Sequence, residues 1–293
     1  MKQGKLTGHL LALLVIAVWG ATYVATEVLL DTYSAVQLMI LRFALAYITL
    51  FLLQPKPYLP KSLREEARFL LLGLFGVILY YLTENLAISR TDGTNVSILI
   101  CFAPIFTILG NVIRKKSRLT RYTLFGFAVA ITGVILVVFN GTVHLSFDPV
   151  GYLFALGAAA SWAVYSLLLD TSLGDGTGSI LLTRRMLLYS LLLLLPYAAI
   201  RRELPPLAPL KTLPNALSLG VLGVFGGSLC YLWWNKAIRK IGVVITTNYL
   251  YLSPFVTMLC AYFVTGTRVT AMGAVGTLFI IGGVILSDKK QGI

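Results

Sequence analysis

The chain has 293 residues, of which 58% are hydrophobic and only 12% charged, with mean hydropathy +0.86. These values exclude an ordinary soluble globular domain and point to a protein whose solvent is lipid. The formal charge of +13 invites a nucleic-acid reading, but the basic residues form no aromatic-interleaved domain. They flank apolar runs instead, as retention of Lys and Arg on the cytoplasmic side produces.

Crossing a hydrocarbon core of roughly 30 Å takes about 20 largely apolar residues. Ten stretches qualify, at about 8–30, 35–54, 68–88, 94–113, 121–139, 148–170, 179–200, 214–235, 242–264 and 269–287. The first follows Lys2 and Lys5 but is too long for a signal peptide, and a copy of it recurs mid-chain. Together they predict an all-α integral membrane protein of ten transmembrane helices with no room for a soluble domain. The densest basic cluster, RKKSRLTR at Arg114 to Arg121, sits between the fourth and fifth stretches. It places both termini in the cytoplasm. Cys101, Cys230 and Cys260 lie singly within spans, and the two histidines are His9 and His144. Neither a disulfide framework nor a metal site is expected, and no cofactor.

The chain repeats itself. GHLLALLVIAVWG at residues 8–20 aligns with GYLFALGAAASWA at 151–163. At an offset of about 150, LGLFGVILYYLTENLAI (72–88) aligns with LGVFGGSLCYLWWNKAI (222–238), and ITGVIL (131–136) with IGGVIL (281–286). Between residues 71–137 and 221–287, 21 of 67 positions are identical. The halves are therefore related, with units at 1–140 and 148–288. Each holds five spans, and an odd number makes the second copy enter the bilayer from the opposite face. Inverted repeats of this kind are characteristic of alternating-access carriers with a site near the midplane.

Ionisable residues inside spans usually face a cavity or a partner. Glu27 and Asp170 are repeat mates, and so are Arg42 and Arg185. Each half thus carries an acid late in its first span and a base early in its second, at similar depth. Glu27 with Arg42, and Asp170 with Arg185, are expected as two symmetry-related gates, unless all four merely reach toward the interface. Glu84 breaks the symmetry, since its mate is Trp234. It is the candidate proton carrier or binder of an ammonium group, with pairing to Arg42 or Arg90 as the plain alternative.

Trp19, Tyr23 and Glu27 recur every four residues on one helix face. Tyr80 shares a face with Glu84, and Tyr81 neighbours it. Trp162 and Ser166 repeat the pattern with Asp170, as Tyr231 does with Asn235, while Asn248 opens the ninth span. Trp, Tyr, Asn and Ser around an acid predict a polar-aromatic cavity for a flat or zwitterionic solute. An aromatic belt at the membrane interface suits Trp233 and Trp234, but not Trp19 and Trp162 at mid-span. Pro104 and Pro254 would kink the fourth and ninth helices, free the carbonyls of Ile100 and Leu250, and serve as hinges. Glycines at 73, 76, 126 and 133, matched by 223, 226, 227, 276 and 283, read as close-packing surfaces.

The ordered set AVWGATYVAT, RFALA, ENLAI, APIFT and GVIL, present in duplicate, resembles the EamA branch of the drug/metabolite transporter superfamily over nearly the whole chain. The resemblance implies two inverted five-helix repeats, with spans one to four and six to nine around a central cavity and five and ten at the periphery. It implies a carrier, often an exporter, of amino acids, other small metabolites, purines or drugs. The expected reading is a monomeric inner-membrane carrier of an amino acid or similar amphipathic solute, with protons as candidate coupling ion. Nucleobases or cationic drugs are the alternative substrates. A membrane-embedded enzyme is the rival class, disfavoured because the sequence has no H-E-x-x-H, G-x-S-x-G or acid–His cluster.

Overall fold

The computed structural model describes residues 2–56, 62–114, 119–138, 148–173, 178–265 and 271–288. Lys115, Lys116 and Arg118 of the basic cluster, His144 and the boundary between the two expected units lie outside the described residues. Among the described residues there is no strand, and eight helical stretches are long and apolar enough to cross a bilayer. In chain order they are α1 (Gly4–Leu30), α2 (Ala35–Leu53), α3 (Leu63–Ile88), α4 (Gly93–Ile113), α6 (Pro149–Ser172), α7 (Ser179–Arg201), α8 (Leu213–Ile241) and α9 (Val243–Val264). Two further helices, α5 (Arg121–Val138) and α10 (Ala271–Asp288), complete the order. Helices satisfy every backbone group internally, which hydrocarbon demands.

The starts carry the polar groups that such ends need. Ser34 and Gln37 form a capping box on α2, Ser62 accepts from the Glu65 N–H to start α3, and Asp92 accepts from the Asn95 N–H at 2.7 Å to start α4. Asp148 does the same for α6, accepting from the N–H groups of Val150 and Gly151. It also accepts from Arg90 Nε at 2.9 Å, tying the end of α3 to the start of α6. Those bonds, the Gly151 N–H foremost and Arg90 beside it, hold the Asp148 carboxyl below its usual value. Gly242, at φ +84°, makes the break between α8 and α9 that a side chain would strain.

Packing between the halves is reciprocal. α1 packs against α8 and α9, and α6 packs against α3 and α4, so each half's first helix lies among the third and fourth helices of the other. α5 and α10 pack chiefly on each other at the edge, with Gly283 against the backbone of Gly126 and Ala130. Small residues there permit backbone contact where no hydrophobic driving force separates lipid from protein.

Two features depart from regular α-helix. Residues Leu74–Leu79 of α3 and Val221–Leu229 of α8 are π-helical, and they occupy corresponding positions in the repeat. A wider i→i+5 turn leaves a carbonyl without its usual partner. In each half a large aromatic from the opposite half supplies the donor. Tyr231 OH donates to the Gly76 carbonyl at 2.7 Å, and Trp19 Nε1 donates to the Gly226 carbonyl at 3.1 Å. Gly76 and Gly226 are repeat mates.

The helix breaks at the two prolines agree with expectation. α4 is interrupted at Cys101–Phe102 before Pro104, and α9 narrows to a 3-10 turn at Tyr249–Leu252 before Pro254. The Leu250 carbonyl, denied its Pro254 donor, instead faces the Cys101 thiol of α4 at 3.5 Å. Cys101, Cys230 and Cys260 are free thiols.

Candidate functional site

Where α1, α3, α6 and α9 converge, a small and nearly closed cavity is lined by Trp19, Thr22, Tyr23, Tyr80, Tyr81, Glu84, Trp162, Leu250 and Ser253. Its free space is about that of one water. The rings form one cluster. Trp19 meets Trp162 edge-to-face with centroids 5.0 Å apart, and Tyr80 lies 5.0 Å from Trp162. Tyr81 stands edge-on to Tyr80 at 4.7 Å. Trp19, donating to Gly226, and Thr22, whose hydroxyl donates to the Trp19 carbonyl at 2.6 Å, fix the α1 wall.

Glu84 is the carboxylate of this cavity. It is 5% exposed, and its Oε1 accepts from the Tyr80 hydroxyl at 2.9 Å, one helical turn away. Pairing with Arg90 does not occur, since Arg90 is engaged by Asp148 at the helix end. A buried carboxylate held by one neutral hydroxyl retains lone pairs for a ligand or a proton.

Six of the ten expected binding residues thus meet here: Trp19, Tyr23, Tyr80, Tyr81, Glu84 and Trp162. The other four lie nearby or deeper. Tyr231 abuts the cluster, 5.9 Å from Trp19, and spends its hydroxyl on Gly76. Asn235 Nδ2 donates to Thr183 at 3.1 Å. Ser166 and Asn248 are buried, and the hydroxyl of the first and both amide atoms of the second have no hydrogen-bond partner. Thr22, Leu250 and Ser253 were not anticipated. The only sequence signal for the last two is their nearness to Pro254. Trp234 corrects the belt reading: it is fully buried, 5.0 Å from Trp19. A fully buried ring packed on two other aromatics, Trp19 and Trp162, has no face left for the interface.

Of the four charged residues read as gates, Glu27 and Arg42 are placed differently from the expected pair. Glu27 does not pair with Arg42. Its carboxylate accepts from the Gly93 N–H at 3.4 Å, at the positive end of α4, where a negative charge is favoured. Arg42 turns inward, 2% exposed. Its guanidinium lies 4.0 Å from the Tyr81 ring centroid and donates to the Tyr81 hydroxyl at 3.2 Å. Arg185 makes its salt bridge with Glu66, at 2.7 Å and with both side chains about 15% exposed, and Tyr189 donates to the same carboxylate. Glu66 sits on the flank of α3, two residues before the run read as apolar, and so escaped notice. Arg184 binds the carbonyls of Gln54 and Lys56 at the end of α2. Asp170 lies half-buried near the end of α6.

No cluster of His, Cys, Asp or Glu that could hold a metal occurs among the described residues.

Known proteins bear on this arrangement. Over 278 residues the chain is 25% identical to an uncharacterized transporter, YyaM, of Bacillus subtilis, covering 92% of this chain and 89% of that one. It is 25% identical to a probable terminal-alkyne amino-acid exporter of Streptantibioticus cattleyicolor, covering 94% and 92%. It is 27% identical to an uncharacterized inner membrane transporter, YedA, of Escherichia coli, covering 87% and 81%. A solved crystal structure superposes with TM-score 0.75 at 17% identity, covering 96% of this chain and 97% of the other, which makes the fold one already observed. The EamA-like transporter family matches residues 6–139 and again 149–287. This multi-pass helical membrane protein belongs to the EamA-like transporter family.

Proposed function

We propose that the protein is a secondary transporter that moves an amino acid or a similar amphipathic, zwitterionic solute across the bacterial inner membrane, in the direction of export. The observation that carries the reading is the small aromatic cavity around Glu84, lined by residues from both sequence repeats. Rings offer faces for an apolar side chain and for cation–π contact, while Glu84 offers a charge for an ammonium group. One family relative is named as a probable amino-acid exporter, and another as an inner membrane protein. Cationic drugs suit Glu84 and the rings equally well, and nucleobases suit the rings alone.

In this reading α5 and α10 also cross the bilayer, giving ten spans in two inverted units, 1–140 and 148–288, with both termini cytoplasmic. The reciprocal packing of α1 and α6 supports that relation. Alternating access follows if the cavity opens to one face at a time. Pro104 and Pro254 are the hinges, where α4 and α9 already lack regular hydrogen bonding. The cytoplasmic gate is Asp170 with Arg185, reinforced by Glu66, and Glu27, the repeat mate of Asp170, is its external counterpart on α1 against the start of α4. An enzyme of the same fold would need a general base at the cavity. Glu84 alone, without a His, serves transport better.

The test is counterflow in proteoliposomes loaded with a panel of amino acids and, separately, amines. Saturable exchange with trans-stimulation is expected, with loss of its pH dependence in Glu84→Gln. Turnover of solute without accumulation would refute the carrier reading.

A further inference from the structure

Arg42 is a buried cation with no contact ion pair among the described residues; the opposing charge it acts on is the Glu84 carboxylate of the cavity. Arg42 is 2% exposed, and among the described residues no carboxylate lies within salt-bridge distance of it. Its engagements are the Tyr81 hydroxyl, the Tyr81 ring and, more distantly, the Phe43 ring at 5.8 Å, and its Nε has no hydrogen-bond partner. A buried guanidinium with no anion in contact is costly unless something repays its lost hydration. The repeat shows why this one stands alone. Its mate Arg185 is neutralised by Glu66, but the position matching Glu66 in the second half is Ala216. The carboxylate was never supplied.

The guanidinium also stands in the right place. Tyr81 and Thr22 both line the cavity. A Cβ built on Gly226 would touch Thr22 at 2.8 Å and Arg42 Nη2 at 3.3 Å, so Arg42 lies directly behind two lining residues, Thr22 and Tyr81. On the same helix as Tyr81, Glu84 is held by Tyr80, whose ring meets that of Tyr81. The order is therefore cation, phenol, phenol, carboxylate. Such a wall presents opposite charges at its two ends, matching a molecule that carries an ammonium at one end and a carboxylate at the other.

We infer that Arg42 is the carboxylate-recognition residue of the transport site, reached when Tyr81 swings aside, and that the substrate class is the free α-amino acid rather than the simple amine. The inference rests on the amphipathic-solute reading above and sharpens it. Guanidinium and carboxylate form two parallel charge-assisted bonds, and a carboxamide forms at most one weaker bond. Discrimination between acid and amide is thus the signature.

The experiment measures tryptophan fluorescence of the purified full-length protein, reporting from Trp19 and Trp162. The probes are L-alanine, L-leucine and L-phenylalanine, each against its own amide at neutral pH. Wild type should bind at least one acid tenfold or more tighter than its amide. Arg42→Gln should bring the pair within threefold of each other by weakening the acid alone, whereas Glu84→Gln should weaken both alike. Arg42→Lys, which keeps charge without the fork, should fall between and serves if the Gln variant does not fold. Equal binding of acid and amide by wild type, or undiminished discrimination in a folded Arg42 variant, overturns the role of Arg42 alone. No response to any of the six probes overturns both this role and the amphipathic-solute reading.

Discussion

Gly76 offers the sharpest test of how the cavity's back wall is held. A Cβ added there would lie 2.7 Å from Cε2 and Cγ of Tyr165, closer than carbon atoms tolerate. Tyr165 is fully buried and packed on Trp162 at 5.0 Å and Tyr231 at 6.0 Å, so its ring has nowhere to retreat. Overpacking of this kind costs about 1–3 kcal/mol. Any shift of the α3 backbone also strains the bond from Tyr231 OH to the Gly76 carbonyl, worth about 1 kcal/mol. The usual helix-propensity gain of Ala over Gly, about 1 kcal/mol in water, counts for little here, because a span stays helical when its tertiary contacts are lost. Gly76→Ala should therefore destabilise by about 2–4 kcal/mol on the sum of those two costs. Gly220→Ala, with nothing within 4 Å of its Cβ, is the control and should be neutral within about 0.5 kcal/mol. Thermal melting of detergent-purified protein, followed by tryptophan fluorescence, reads both. A double change, Gly76→Ala with Tyr165→Leu, should cost less than the sum of the singles, because the second makes room for the first. Strict additivity, or a Gly76→Ala melt equal to wild type, would refute the close contact between α3 and α6.

Further outcomes follow from the charged and polar contacts. Tyr231→Phe removes the donor to the Gly76 carbonyl in the π-helical turn and should lower stability by about 1–3 kcal/mol in the same melt, since the orphaned acceptor is buried. Glu66→Gln breaks the bridge to Arg185 and should cost about 1–3 kcal/mol at this partial burial. The paired reversal, Glu66→Arg with Arg185→Glu, should recover more of the loss than either single change predicts, and failure to do so counts against the pair. Asp148 is held below its usual carboxyl value of 3.8, so it stabilises above that value and the contribution fades as pH falls through its lowered one. Asp148→Asn should therefore lower the melting temperature at pH 7 by an amount that shrinks as the pH is taken below 3.8, and a gap that does not narrow in acid would assign the effect to packing instead.

How far the sequence alone reached differs by scale, for physical reasons. The helices, and the eight of the ten expected spans found among the described residues, were legible because hydropathy is a property of the chain itself. The aromatic and acidic face of α1 and α3 was legible from the sequence, and five of its residues, Trp19, Tyr23, Tyr80, Tyr81 and Glu84, do line the cavity. Partners were not. Charge pairs were assigned within each half by symmetry, yet Glu27 found a backbone N–H at a helix start in place of Arg42, and Arg185 has a carboxylate, Glu66, that the symmetry did not name. A side chain's partner depends on which helix lies opposite, and that is fixed by packing between the halves. The π-helical turns were hidden for the same reason. Their glycines signalled close approach, but an i→i+5 turn needs a donor for the carbonyl it releases, and Tyr231 and Trp19 come from the other half. Each half thus lends the other a ring that completes its third helix, and both rings belong to the aromatic cluster at the cavity. Moving the halves past each other must strain or exchange those bonds, so the same contacts that close the site also register the relative position of the two units.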